Sequence, residues 1–222
     1  MPLPRSSRVK VTAKMSDGNQ ILSESSEKPL LLVLSGLSGV GKDTVLIKLE
    51  QSGFPPVHIT TVTTREKRAN EVDGEHYHFV SDKIFQQMIA DNELLEHATV
   101  YGNHYGVPKE PVRQALESGQ DVIIKVDVQG AVAIKKITPE AVFIFLTPAS
   151  MEEMVTRLKQ RRTESEEDLE LRIRTAQDEL LHLQLFDYIV LNQQGEVNRA
   201  VSDIKAIYRA EKCRIKPRDI SL

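Results

Sequence analysis

The stretch LVLSGLSGVGKDTVLIKLE, Leu32 to Glu50, constrains this chain more than any other. An uninterrupted apolar run stops at a glycine-punctuated loop, and the loop passes through Lys42 into an amphipathic segment. Gly36, Gly41 and Lys42 stand at the G-x-x-x-x-G-K spacing, with a strand pattern before them and a helix pattern after. Glycines there let successive backbone N–H groups turn inward, the helix start adds partial positive charge, and a lysine adds a point charge. Gly36, Ser38, Gly39, Val40, Gly41, Lys42, Asp43 and Thr44 are therefore the expected contacts for a nucleoside triphosphate.

One residue in the loop is out of place. Such loops put a Ser or Thr hydroxyl after the lysine to reach Mg²⁺, and here that residue is Asp43. An acid in the first turn complements the helix dipole, which is reason enough for a carboxylate. As an oxygen donor it is also a candidate Mg²⁺ ligand, together with the Thr44 hydroxyl one position on.

Composition narrows the classes. At 222 residues the chain fits one domain with small insertions. Hydrophobic residues make up 40% and charged residues 27%, the proportions of a globular protein. A formal charge of −3 argues against indiscriminate binding of nucleic acid. The single cysteine, Cys213, cannot form an intrachain disulfide, and no Cys/His cluster suggests zinc, so a reducing cytoplasm fits. No apolar run approaches the roughly 18 residues that span a bilayer. Residues 1–28 are polar, and their first 14 carry Arg5, Arg8, Lys10 and Lys14 without an acid. They read as a disordered leader, with a transit peptide or a start at Met15 as alternatives.

From Leu30 onward, short Val/Ile/Leu runs alternate with helical patterns. Strands are expected at Leu30–Ser35, Asp121–Val126, Ala141–Leu146 and Tyr188–Leu191, and helices at Lys42–Gln51, Ala131–Ile137, Met151–Gln160 and Val197–Arg214. Ser150 and Glu153 have the spacing of a capping box. The alternation predicts an α/β fold with a parallel sheet covered by helices on both faces. Two stretches break the rhythm. Residues 57–106 are more polar, β-branched and aromatic, with one helix near Asp82–Asp91, and read as an inserted β-containing lobe. Residues 159–167, KQRRTESEE, form a charge run that reads as a short lid before a long helix ending near Phe186. The core is then 29–56 and 107–215, with 216–222 as a tail.

The lobe and the segments after it carry a specific resemblance. TTVTTREKRANEVDGEHYHFVS, LLEHATVYGNHYG, VDVQG and RRTESEEDLELR follow one another in the order found in guanylate kinases, and the chain resembles that family from about Leu30 to Lys212. The resemblance implies ATP-dependent phosphorylation of GMP, with dGMP as a further acceptor and Mg²⁺ accompanying ATP. It implies that Thr61, Arg65, Arg68, Glu71, Tyr77 and Tyr105 form the GMP-phosphate segment and that Glu96 and Asp127 meet the guanine. It places Arg161 and Arg172 with Lys42 at the phosphates, and Asn192 near the ATP adenine. A monomer or homodimer is expected.

Chemistry supports these roles independently. A monophosphate suits bidentate arginines and tyrosine hydroxyls. Guanine presents N1–H and N2–H₂ donors that carboxylates accept, and adenine lacks that edge. Phosphoryl transfer needs positioning and charge neutralisation more than covalent help from the protein.

The chain departs from the family pattern at Asp43, at Val107 where a hydroxyl is usual, at Lys125 where an acid is usual, and at Arg162 where a glycine is usual. A guanylate-kinase-like binding module and a nucleoside-monophosphate kinase of altered base preference are the alternative readings. The changes at 43 and 125 read as coupled, with Asp43 serving the metal while Lys125 holds its carboxylate.

Overall fold

Strand β1, Leu31–Gly36, is buried along its whole length, as a strand covered on both faces must be. The computed structural model describes residues 28–69, 71–160 and 166–222; most of the leader, Arg161 and Arg162 lie outside the described residues. Helix α1, Lys42–Gln51, follows the loop. The other core strands are β2 (Val57–Ile59), β7 (Val122–Lys125), β8 (Val142–Thr147) and β9 (Tyr188–Leu191), in the spatial order β2-β7-β1-β8-β9. All neighbours in this sheet run parallel.

Side chains alternate between two cores. Leu32, Leu34, Ile123, Ile144 and Val190 face one way, against Val45 and Leu49 of α1 and against helices α5 (Met151–Gln160), α6 (Glu166–Leu180) and α7 (Val197–Lys212). Leu31, Val33, Ile124 and Phe143 face the other way, against α3 (Lys109–Glu117) and α4 (Val128–Ile137). The expected helix-covered parallel sheet is thus the observed one.

The lobe is a second sheet in the order β4-β3-β6-β5, built from β3 (Val62–Thr63), β4 (His78–Phe79), β5 (Leu94–Val100) and β6 (Asn103–Pro108), with α2 (Asp82–Ala90) against it. Its own small core is Val62, Phe85 and Leu94. A bulge in β5 between Leu94 and Glu96 lets Leu94 enter this core while Leu95 joins the main one. That irregularity ties lobe to core and turns Glu96 inward, 7% exposed.

Several boundaries move. Val57–Ile59, placed in the lobe by composition, pairs with β7 at the edge of the larger sheet, and β6 carries the lobe to Pro108. Helix α3 had no expected counterpart: Pro111 obscures the pattern in sequence, but it sits in the first turn, where a missing N–H costs nothing. Helix α4 starts three residues earlier than Ala131, because Asp127 caps it by accepting from the Gly130 N–H at 2.8 Å. The long helix expected to reach near Phe186 stops at Leu180, and a 3₁₀ turn at Leu183–Leu185 follows. Half of the expected capping box forms: Ser150 Oγ accepts from the Glu153 N–H at 3.2 Å, whereas the Glu153 carboxylate accepts from Ala149.

Candidate active site

The loop from Gly36 to Lys42 opens at the carboxyl end of β1, where a parallel sheet leaves a crevice. Gly36 has a φ of +144°, and a Cβ there would stand 2.2 Å from the Leu146 carbonyl oxygen of neighbouring β8, so only glycine fits. Gly41 enters α1 in the left-handed region at φ +96° and offers no capping side chain, which leaves the first helical N–H groups to an anion. Lys42 folds back over the loop and donates to the Gly36 carbonyl at 2.7 Å and the Leu37 carbonyl at 3.2 Å. Burial pushes its pKa down against the opposing pull of Glu179, Asp43 and Asp127.

Three layers of side chains line the cleft that faces this loop. Ser38, Gly39, Gly41, Lys42 and Asp43 form the donor side. Opposite them, Thr61, Arg65, Arg68, Tyr77 and Tyr105 come from the lobe, and Glu96 and Asp127 close the inner end. Arg65 donates to Glu71 at 2.7 Å and lies 5.6 Å from the Tyr77 ring centroid, while the Tyr77 and Tyr105 rings are 5.9 Å apart. Glu71 is not a cleft wall. It is the carboxylate that orients Arg65, and it also accepts from the Arg68 backbone N–H at 2.8 Å.

Glu96 Oε2 is buried without a hydrogen-bond partner. Burial, reinforced by the nearby Asp127 charge, pushes the Glu96 pKa up to about 8. Burial also raises Asp127, although the Gly130 N–H works against the shift. An orphaned acceptor is costly unless a ligand supplies its donors, and this one sits beside a second acid at the end of a cleft.

Glu179 and Arg157, which the sequence reading had not singled out, also belong here, beside Arg172 and Lys125, which it had. Glu179 of α6 accepts from the Ser38 backbone N–H at 3.3 Å and is raised by burial despite Lys42. Arg172, on the same helix, donates to Ser38 Oγ at 3.3 Å and lies 4.7 Å over the Tyr101 ring. Lys125 pairs with Asp43. Arg157 donates to the Val40 carbonyl at 2.9 Å and to the Asn192 carbonyl at 2.6 Å, bracing the loop from below. Glu179 and Arg157 lie on helices whose charged residues look like any solvated face in sequence, so no signal marked them.

The expected ATP contacts Asn192, Val40 and Thr44 lie outside the cleft lining. Asn192 is 4% exposed beneath the loop, where its side chain donates to the Val40 carbonyl at 2.7 Å; Val40 itself is buried in the core. Thr44 is exposed on α1 and is not part of the cleft lining, because one step along a helix turns a side chain by about 100°. Asp43, with its side chain 47% exposed at the cleft, is a hard oxygen donor. A nucleotide-borne Mg²⁺ needs only one or two protein carboxylates, so Asp43 fits that requirement. Among the described residues no group of three His, Cys, Asp or Glu is placed to form an all-protein metal cage.

Comparison with known proteins agrees with this geometry. The guanylate kinase family model matches residues 28–211. A guanylate kinase of Carboxydothermus hydrogenoformans is 42% identical over 87% of this chain and 93% of its own length. Guanylate kinase 2, chloroplastic/mitochondrial, of Oryza sativa is 41% identical over 88% of this chain and 69% of its own. The crystal structure of guanylate kinase from Anaplasma phagocytophilum superposes with a TM-score of 0.70 at 30% identity, covering 85% of this chain and 88% of that one. The chain belongs to the guanylate kinase family.

Proposed function

We propose that this protein transfers the γ-phosphoryl group of ATP to GMP, giving ADP and GDP, with dGMP as a second acceptor. The observation that carries the reading is one cleft with a phosphate loop at one end, an unpartnered buried carboxyl at the other, and arginine and tyrosine side chains between them. Membership of the family agrees with it.

In this reading the loop N–H groups and Lys42 hold the donor phosphates. Arg65, Arg68, Tyr77 and Tyr105 hold the acceptor phosphate, with Glu71 fixing the Arg65 fork. Glu96 and Asp127 accept from guanine N1–H and N2–H₂. Arg172 balances charge on the transferring group, and positioning of this kind accounts for most of the catalysis in phosphoryl transfer. Asp43, exposed at the cleft, is the carboxylate that would hold a nucleotide-borne Mg²⁺, and the ion would supply neutralisation of charge on the donor phosphates. Arg161, assigned to the same task by resemblance, lies outside the described residues.

Placement in the cytoplasm rests on the exposed, unpaired Cys213, which suits a reducing compartment; no described helix is long and apolar enough to cross a membrane. A coupled ADP-release assay with Mg²⁺, ATP and, in turn, GMP, dGMP, AMP, UMP and IMP tests the function. Turnover is expected with GMP and dGMP and at least tenfold less with AMP and UMP. A folded protein that turns over none of them would overturn the proposal.

A further inference from the structure

We propose that Lys125 is a ligand of the acceptor phosphate, held at the acceptor pocket by Asp43 until that phosphate arrives. The inference rests on the reading of Arg65, Tyr77 and Tyr105 as the acceptor-phosphate pocket, and it adds to them a cation that comes from the core sheet rather than the lobe.

Lys125 is the last residue of β7, at the carboxyl edge of the sheet, with its side chain only 5% exposed. Its ammonium pairs with Asp43 Oδ1 and lies 3.9 Å from the Tyr77 ring centroid. Arg65 lies against that same ring at 5.6 Å, and Tyr105 is its aromatic neighbour. The ammonium is therefore part of the lining of one pocket with Arg65, Arg68 and Tyr105.

A purely structural role explains this placement poorly. Asp43 is half exposed, so water screens the pair and its contribution to stability is small. Burying an ammonium is costly, and an apolar side chain of similar volume would serve the fold as well. A dianionic ligand changes the balance. An ammonium carries three donors, and a phosphate oxygen can take those that Asp43 leaves. A lysine suits this position because its point charge can swing between two anions, whereas the Arg65 fork is fixed by Glu71. Asp43 compensates the ammonium in an unliganded pocket, as Glu71 compensates Arg65.

Titrations of GMP and of guanosine, in chelator so that divalent cations play no part, isolate the contribution of the phosphate. Lys125→Met is expected to reduce the ratio of GMP to guanosine affinity about tenfold or more, the loss of one charge-assisted contact. Lys125→Arg should recover part of the ratio. Asp43→Asn, which releases the ammonium, should raise GMP affinity severalfold, and it serves as the test if Lys125→Met does not fold. An unchanged ratio in folded Lys125→Met, or unchanged or weaker GMP binding in Asp43→Asn, would overturn the proposal. Turnover of GMP by the unaltered protein is measured alongside: its absence would overturn the kinase reading, whereas intact turnover with an unchanged ratio removes only the role of Lys125.

Discussion

A Cβ on Gly130 would stand 2.8 Å from Glu96 Oε2, so the first turn of α4 leaves its space to the carboxyl of β5. Gly130 also gives its N–H to Asp127, and one residue thus sets the positions of both acids at the inner end of the cleft. Gly130→Ala should push Glu96 aside without strain in the backbone, since Gly130 is helical. The expected result is about a tenfold rise in KM for GMP with KM for ATP nearly unchanged, the signature of one displaced base contact of about 1.5 kcal/mol. Steady-state kinetics with each substrate varied in turn would show it, and an equal rise in both would contradict the assignment.

The state of Glu96 makes GMP binding depend on pH. With a pKa of about 8 the carboxyl is protonated in much of the free protein at neutral pH, whereas guanine donors call for the ionised form. GMP affinity should therefore rise between pH 6 and 8, with a proton released on binding, and Glu96→Gln should flatten that slope. The stability consequence has the opposite sense. The folded-state value lies above the ordinary 4.5, so the folded chain holds the extra proton. Its advantage is complete below pH about 4.5 and is lost as pH rises through about 8. Glu96→Gln should accordingly gain stability relative to the unaltered protein as pH rises from 5 to 8, by on the order of a few kcal/mol at most, read as a growing difference in melting temperature. A constant difference across that range would mean Glu96 is not held protonated.

Arg65 is paired and 15% exposed, whereas Arg68 is 52% exposed and only 3.8 Å from Glu71. Arg65→Ala should weaken GMP binding by about 1.5–3 kcal/mol and leave ATP binding nearly intact. Arg68→Ala should weaken GMP less in equilibrium titration, because a contact from a side chain 52% exposed is screened by water. Equal loss of ATP and GMP affinity in Arg65→Ala would refute the separation of the two phosphate sites.

Tyr101 links the lobe to the donor loop. It occupies the left-handed region at φ +49° in the turn between β5 and β6, with Gly102 beside it at φ +76°, and its ring lies under Arg172, which reaches Ser38. Asn tolerates that backbone conformation, so Tyr101→Asn should fold normally and lose only the ring beneath the guanidinium, worth about 0.5–2 kcal/mol. A severalfold fall in kcat with GMP binding within threefold of normal is expected. A fall in GMP affinity alone would place Tyr101 in the acceptor site instead.

The core was legible because buried parallel strands are continuous apolar runs: β1, β7, β8 and β9 begin and end within a residue of their expected bounds. α1 and α5 start and stop where the loop glycine and Ser150 predict. The phosphate loop could be read from spacing alone, since its physics demands particular residues at particular intervals. What escaped was set by tertiary contact. The edge strand Val57–Ile59 is a strand because β7 pairs with it, and the bulge that aims Glu96 has no local signature. Glu179 and Arg157 acquire their roles only when helices distant in sequence pack under the loop. Asn192 shows the converse, a residue whose place was expected at a ligand and whose amide instead supports the loop backbone.

The Asp43–Lys125 pair predicts an asymmetry in stability. The two residues are 82 apart in sequence and belong to different elements, α1 and β7. Asp43 has its side chain 47% exposed and Lys125 only 5%. Removing the lysine leaves a carboxylate that water can solvate, whereas removing the aspartate leaves an ammonium buried against Tyr77. Burial works against that ammonium, and Asp43 and then Tyr77 are what keep its pKa above the ordinary lysine value. Asp43→Asn should therefore destabilise the nucleotide-free protein more than Lys125→Met does, by about 1–3 kcal/mol against less than about 1 kcal/mol. In the Lys125→Met background, Asp43→Asn should cost almost nothing, giving a coupling of about 1–3 kcal/mol in a double-mutant cycle. Raising the pH toward 10 should narrow the gap, because an unpaired buried lysine sheds its proton more readily than a paired one. Denaturant unfolding of the four proteins measures all three quantities. Equal single effects that simply add would mean that the two charges are held apart in solution and that Lys125 keeps its position by packing alone.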